Sequence, residues 1–455
     1  MVTAAGHYAQ IATAKGPLQL PLRGTGGSPV MLHVGIDDTD SSKGMCTTYL
    51  AAVLIDEIKH RFGLGLAGFP RLIRLNPNCP FKTRGNAALS FRLLVPPLLL
   101  PQVKELVLQR VGEMAMLDDE GTESGVAFYL GDEIPPLLGE FSSRVVKEMV
   151  TIEEADQVAR QLGIEVHKFK LGRGIIGALA AIGNRLEYGR TYELIAYRTP
   201  EFVGTPRKME EGSIVRMNDA THPFTFDNLD TNTGEVRIMP HTPCPVYFGI
   251  RAFKPQYLER AFGIVEPLQP VERFQIYETN QGTDAHISDA VAGRIRPLTT
   301  VKVSGTVASK PRTIRGGHVI FHIRDDTGSV DCAIYEPTRG FRDVGKAFLV
   351  GDVVRVYGGV KEKPERPLTV NVEKLEVLSL VPKTVRRNPR CPRCGKTMKS
   401  EGKGKGYQCP KCKFKSTALE AEEVPVERGI SLGLYAVPPR ARRHLSKPAT
   451  PSYEV

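Results

Sequence analysis

Residues 33–50 read HVGIDDTDSSKGMCTTYL, and this stretch decides how the amino-terminal part of the chain folds. Residues 30–36, which lead into it, form a short apolar run with β-branched side chains that ends at Gly35 and an acidic cluster, so they predict a buried strand. Residues 47–62 predict a helix, because Leu50, Val53, Leu54, Ile58 and Phe62 recur at helical spacing. Asp37, Asp38 and Asp40 therefore fall at the carboxyl end of a strand, where open α/β sheets place ligands. Three carboxylates this close repel one another unless a cation neutralises them, and Mg²⁺ suits one or two carboxylates plus phosphate oxygens. Ser41, Ser42, Lys43 and Gly44, followed by a helix N-terminus, have the composition of a phosphate cradle. The same residue types also make a solvated acidic turn with a helix cap.

Working outward, 455 residues are too many for one core and predict three or four domains. No apolar run approaches the roughly 18 residues of a membrane span, which predicts a soluble chain with no membrane partner. Residues 1–30 lack periodicity and an apolar signal core, and read as a flexible extension. Between positions 383 and 415 there are 12 Lys and Arg against one acid, Glu401, a net +11 that equals the excess of the whole chain. Such a localised patch suits a phosphate backbone, with a solvated basic tail as the bland alternative.

The patch coincides with two CPxC knuckles, Cys391 with Cys394 and Cys409 with Cys412. This spacing predicts a closed four-thiolate Zn²⁺ site of structural type, in a ribbon too small to fold without its metal. The pattern argues for a reducing cytosol. Cys46, Cys79, Cys244 and Cys332 have no ligand spacing and are expected to be small buried apolar residues, with Cys46, beside a helix start, the one to watch.

Upstream, 300–308, 319–323, 329–335, 353–360 and 368–377 predict five strands, with a helix around 344–349 between the third and fourth. That is the pattern of an OB-fold, which binds single strands or loops; a small β barrel without a ligand is the alternative. In the middle, 151–162 predicts a helix with a capping box from Thr151 to Glu154, and 255–262 a second helix. Strands are expected at 192–198, 214–217, 236–239 and 246–250, which together suggest a ferredoxin-like α+β layer. The glycine-rich GRGIIGALAAIG at 172–183 does not keep dinucleotide-fingerprint spacing and reads as a tightly packed helix. Lys82 and Arg84, in a turn after Asn76 and Asn78, are candidate phosphate ligands, with a plain surface loop as the alternative; Arg251 is a weaker candidate. Asp219, Asp227, Asp230 and Glu235 are acids able to hold a cationic amine, and sequence does not choose among them.

The segments VGIDDTDS and GMCTTYL within 34–50, NPNCPFKTRGNAAL at 76–89, GRGIIGALAAIG and CPVYFGIRA at 244–252 occur in the order found in the archaeal tRNA(Ile) 2-agmatinylcytidine synthetase family, which this chain resembles over roughly 31–416. The resemblance implies a multidomain α+β protein. Its parts would be a kinase-like ATP-binding α/β domain without a Walker motif (31–150), a ferredoxin-like domain (151–290), an OB-fold β barrel (298–380), a zinc ribbon (386–418) and a C-terminal tail (419–455). It implies that ATP, with Mg²⁺ on Asp37 and Asp38, phosphorylates the C2 oxygen of the cytidine at the first anticodon position of tRNA(Ile) with a CAU anticodon. Agmatine then attacks C2, and the product decodes AUA codons. In that account Asp37, Asp38 and Asp40 are catalytic, Thr47 matches the family's phosphorylated threonine, ATP ends as AMP plus phosphates, and the protein is cytoplasmic with no evident obligate protein partner. From the residues alone, a non-catalytic RNA-binding protein and a phosphoryl-transfer enzyme acting on a small molecule remain as alternatives.

Overall fold

The computed structural model describes residues 27–449 except Arg84 and Thr231. Most of the expected amino-terminal extension, the candidate ligand Arg84 and the end of the C-terminal tail lie outside the described residues. Nine strands form one sheet in the order Glu165–Lys168, Gly125–Leu130, Val30–Asp37, Ala87–Val95, Arg71–Arg74, Val271–Thr279, Thr191–Arg198, Val246–Ala252, Thr225–Phe226. Its two halves meet at a parallel pairing, Glu278 opposite Arg71 and Thr279 opposite Leu72. All the other neighbours in this sheet are antiparallel.

In the first half the alternation of Leu32, Val34 and Ile36 buries one face of the first strand under helices Thr47–Phe62 and Leu100–Met114, through Leu50, Leu54, Ile58, Val103 and Val107. Pro136–Lys147, Ile152–Leu162 and Gly174–Gly183 cover the other face. The capping box is present: the Thr151 hydroxyl accepts from the Glu154 amide and the Glu154 carboxylate from the Thr151 amide, a cap that contributes about 1 kcal/mol. GRGIIGALAAIG is indeed a packing helix. A Cβ at Gly35 would overlap the Ala178 carbonyl, and one at Gly125 would overlap the Ile175 backbone. These glycines let the helix lie directly on the sheet. Residues 152–183, grouped by sequence with the second domain, thus pack on the first half of the sheet.

The second half runs strand Thr191–Arg198, helix Glu211–Thr221, strands Thr225–Phe226 and Val246–Ala252, helix Pro255–Phe262 and strand Val271–Thr279, which is ferredoxin-like topology. The strand expected at 214–217 is instead part of the helix Glu211–Thr221. Ile214, Met217 and Thr221 are buried at helical spacing while Val215 is exposed, so a β-branched pair had hidden a 3.6-residue period. The strand expected at 236–239 shrinks to Glu235–Val236.

Strands Thr300–Val307, Val319–Asp325, Gly328–Ile334, Val353–Lys363 and Arg366–Ser379 close into a barrel through the pairing of Val307 with Ile323. Val303, Phe321, Val356 and Leu375 fill its core. The intervening helix is Gly340–Lys346, earlier than the 344–349 expected, because Phe341, Val344 and Phe348 all pack inward while the chain after Lys346 turns. Beyond the barrel, Lys383–Arg387 pairs with Glu422–Val426 to form a stem carrying the ribbon. The tail then returns: Gly433–Ala436 adds to the barrel strand Arg366–Ser379, and residues after it run back toward the large sheet.

Candidate active site

A cavity of about 730 Å³ opens where the two halves of the sheet meet. On one side lies the acidic turn. Asp38 has φ +59, a left-handed conformation that Asp tolerates better than bulky residues. It is held there by contacts with 121–124 and Arg173: its carboxylate accepts from the Glu123 amide at 3.2 Å and pairs with Arg173 at 3.4 Å, and its carbonyl accepts from Ser124 Oγ at 2.7 Å. Arg173 also donates to the Gly121 carbonyl at 3.0 Å and stacks on Phe81. Burial and the neighbouring Asp38 charge push the Asp37 carboxyl well above the usual range. Asp38 is pushed up to about 6 by burial, against the pull of Arg173. Both groups thus sit where positive charge is in deficit, which is the condition a bound cation relieves. The Asp37 carboxylate lies in a cradle that a Cβ at Gly177 would fill. Asp37, Asp38 and Asp40 do not bring three ligand atoms into one shell, so an ion here would use one or two of them and draw its remaining ligands from phosphate or water oxygens.

Thr47 opens the helix Thr47–Phe62, whose N-cap is Cys46 with no side-chain capping bond and whose first turn carries no acid. The Thr47 side chain is therefore not the cap. Its Oγ1 accepts from Thr39 Oγ1 at 3.0 Å within the acidic turn, and Thr47 lines the cavity with Cys46 and Thr48. An uncapped helix N-terminus facing a cavity favours an anionic group. Ser41 to Gly44 form a tight turn closed by Ser41–Gly44 backbone bonds, outside the cavity lining, and Lys43 reaches Asp119 at 3.9 Å. Lys82 lines the cavity but folds onto its own turn, donating to the carbonyls of Pro77 and Cys79 at 2.6 and 3.1 Å. Cys46 and Cys79 are half-buried in the cavity wall, unlike the fully buried Cys244 and Cys332, so the expectation of simple apolar burial fails for these two.

The opposite wall holds residues that the sequence did not single out. Glu193, 4% exposed, takes Arg251 Nε at 3.1 Å, Gln281 Nε2 at 2.5 Å and Arg74 at 3.8 Å. Arg251 extends on to His444 Nδ1 at 3.0 Å, and Asp227 pairs with Arg442. Burial and the charges of Arg74 and Arg251 hold His444 well below the usual histidine range. It is neutral, and since its Nδ1 receives the Arg251 N–H, its proton sits on Nε2. Of the four candidate acids only Asp227 lines the cavity; Asp230 is buried beside Arg440, Glu235 pairs with Arg237, and Asp219 is exposed on its helix. Arg173 was legible as the charge inside GRGIIGALAAIG. Arg442 and His444 were not, because 193 residues separate His444 from Arg251.

At the far end of the chain the four ribbon sulfurs all lie within 4.8 Å of one another, the one such group of metal-ligating atoms among the described residues. Sulfur separations of 3.4 to 3.7 Å approach the roughly 3.8 Å edge of a tetrahedron with Zn–S bonds of about 2.3 Å. The ribbon's only core beyond the cysteines is Met398 with Tyr407, Phe414 and Leu419, so the donor set fits a structural Zn²⁺ that holds the module together. Among the described residues no helix is long and apolar enough to cross a membrane.

Comparison with known proteins adds four family profiles, in chain order: the TiaS TCKD domain at 33–94, the TiaS FLD domain at 172–286, an OB-fold nucleic acid binding domain at 301–378 and the TiaS C-terminal zinc ribbon domain at 388–430. The tRNA(Ile) 2-agmatinylcytidine synthetase TiaS of Methanocaldococcus jannaschii is 43% identical over 92% of this chain and 98% of its own length. That of Archaeoglobus fulgidus is 44% identical over 91% and 96%. A crystal structure of TiaS in complex with its isoleucine tRNA and ATP matches with a TM-score of 0.82 and 43% identity, covering 92% of this chain and 97% of that one. A complex of TiaS with the same tRNA, AMPCPP and agmatine matches with a TM-score of 0.82 and 40% identity over 93% and 98%.

Proposed function

The chain belongs to the tRNA(Ile) 2-agmatinylcytidine synthetase family, and from that premise we propose how its cavity divides the work. It is an ATP-dependent ligase that conjugates agmatine to a cytidine of an isoleucine tRNA. The finer reading places the modified cytidine at the first anticodon position of a CAU anticodon, with decoding of AUA as the outcome and the cytoplasm as the compartment. A carbonyl oxygen is a poor leaving group until it is phosphorylated. Phosphorylation of the C2 oxygen lets the agmatine amine add at C2 and expel phosphate, with ATP ending as AMP and phosphates.

The observation that carries this reading is the convergence on one cavity of the acidic turn, the Thr47 helix N-terminus and the Glu193–Arg251 wall. Asp37 and Asp38 would hold Mg²⁺, which supplies charge neutralisation for triphosphate oxygens. Thr39 orients the Thr47 hydroxyl, and Thr47 is the proposed phosphoryl acceptor. The uncapped amides of its helix face the transferred phosphate. Glu193 and Asp227 provide carboxylate character on the wall where a cationic amine would enter. An anticodon-loop base is already partly unstacked, so presenting it to the cavity costs little, while the barrel and ribbon hold the tRNA body.

Conversion of ATP to AMP, measured with and without tRNA and agmatine, tests the reading. Turnover should depend on both. A binding protein would turn over no ATP, and a small-molecule phosphotransferase would be indifferent to RNA.

A further inference from the structure

The C-terminal tail does more than end the chain. After adding a strand to the barrel it crosses to the cavity, and Pro439, Arg442 and His444 become part of the lining. The residues beside His444 are tied down on three sides. Arg443 pairs with Glu373 of the barrel at 2.9 Å and donates to Asn78 at 2.9 Å. The Gly282 amide donates to the His444 carbonyl at 2.8 Å, the Asp284 amide to the Leu445 carbonyl at 2.8 Å, and Ser446 Oγ to Glu373 at 2.7 Å. His444 therefore has a fixed backbone, and its ring is packed between Arg251 and the loop at Gly85, where a Cβ would touch the ring 3.2 Å away. Its one hydrogen-bonding partner through Nδ1 is an arginine that itself holds Glu193.

We propose that His444 is a positioning residue for agmatine transfer: by accepting the Arg251 N–H at Nδ1 it fixes Arg251 against Glu193 and so sets the wall of the cavity opposite Thr47. The proposal rests on the reading of this cavity as the transfer site. Arg251 Nε and Nη2 point to different acceptors, Glu193 and His444. A guanidinium is planar, so fixing one edge fixes the other. Without His444 the guanidinium can swing toward Asp227, 3.9 Å away, and Glu193 loses its closest cationic partner. Gly249 leaves the approach to Glu193 free of a side chain, so the carboxylate's orientation acts directly on what enters. The tail thereby connects the barrel, through Glu373 and Arg443, to the reacting space.

The test uses the full-length protein with His444→Ala, His444→Asn and His444→Gln, measuring agmatine incorporation into tRNA, the affinity for tRNA and thermal stability. Asn places its carbonyl oxygen where Nδ1 stands, whereas Gln places it about where Nε2 stands. His444→Ala should lower kcat/KM for agmatine roughly tenfold to a hundredfold, the worth of a hydrogen bond to a charged group, with tRNA affinity unchanged. His444→Asn should recover most of that loss and His444→Gln should not. Wild-type kcat/KM in His444→Ala, or Asn no better than Gln, would overturn the proposal. Should the Ala variant fail to fold, the contrast between Asn and Gln still decides. Absence of agmatine transfer by the wild type would instead overturn the reading on which the proposal rests.

Discussion

Thr39 Oγ1 and Thr47 Oγ1 stand 3.0 Å apart, which joins the acidic turn to the first residue of the helix Thr47–Phe62 through a single buried hydrogen bond. The two sides of this bond carry the two halves of the proposed phosphoryl transfer, carboxylates on one and an acceptor hydroxyl on the other. Because Cys46 rather than Thr47 is the N-cap, the Thr47 hydroxyl has no capping task to explain its presence.

Substitution at Thr47 separates an acceptor from a structural hydroxyl. Thr47→Ser should keep part of the activity and Thr47→Asn should lose tRNA modification, with both proteins folded, since Asn can still hydrogen-bond Thr39. Incubation with γ-labelled ATP should label the wild type on Thr47. An Asn variant that modifies tRNA at the normal rate would make this hydroxyl structural.

Asp37 and Asp38 give a prediction with a definite sign. Both carboxyls are raised above their unfolded value, Asp38 to about 6. A raised folded-state pKa favours the protonated form, so the stability linked to these groups is present below about pH 4 and is lost as pH rises through about 6. Mg²⁺ should relieve this, raising Tm more at pH 7 than at pH 4.5. Asp37→Asn with Asp38→Asn should abolish both the Mg²⁺ shift and ATP turnover while leaving the metal-free protein at pH 7 at least as stable as wild type. A Mg²⁺-induced rise in Tm that is the same in the variant would place the ion elsewhere.

Gly177 provides a test that leaves every functional group in place. Its substitution by Ala would drive a methyl into the Asp37 carboxylate. We expect a loss of about 1 to 3 kcal/mol of stability from overpacking, and ATP turnover that falls further than the stability change explains. Steady-state ATP hydrolysis at a temperature where the variant is fully folded reads this out; normal turnover there would show that the Asp37 position is not critical.

The ribbon can be removed without touching the cavity, but not by truncation. Ending the chain at 383 would also remove Arg442 and His444. Excision of 390–416, with a short linker across the stem of Lys383–Arg387 and Glu422–Val426, deletes nine Lys and Arg and keeps the tail. Affinity for tRNA should fall and its dependence on salt should flatten, since each neutralised phosphate contributes to the slope. An unchanged slope would show that the ribbon does not grip the tRNA.

Elements whose residues interact locally were legible in the sequence. The helix 47–62 followed from its spacing, the capping box from Thr151 and Glu154, and the thiolate cluster from two CPxC knuckles. Glycine spacing in GRGIIGALAAIG correctly argued for packing, though not that Gly177 would face Asp37. The 211–221 helix was hidden because its buried Ile214 and Met217 flank exposed Val215, so a short window looks like a strand. The Glu193–Arg251–His444 chain was invisible for another reason. Its members come from two strands of the sheet and the distant tail, and nothing in local pattern reports a contact across 193 residues.

The central claim is that this cavity joins agmatine to a tRNA cytidine. The most direct test incubates the full-length protein with a tRNA(Ile) transcript bearing a CAU anticodon, ATP and agmatine, digests the RNA to nucleosides and records their mass spectrum. The account predicts one new nucleoside, heavier than cytidine by agmatine less water, that maps to the first anticodon position and is absent when ATP or agmatine is omitted. An unmodified cytidine there under conditions in which the protein is folded, zinc-loaded and bound to the tRNA would contradict it.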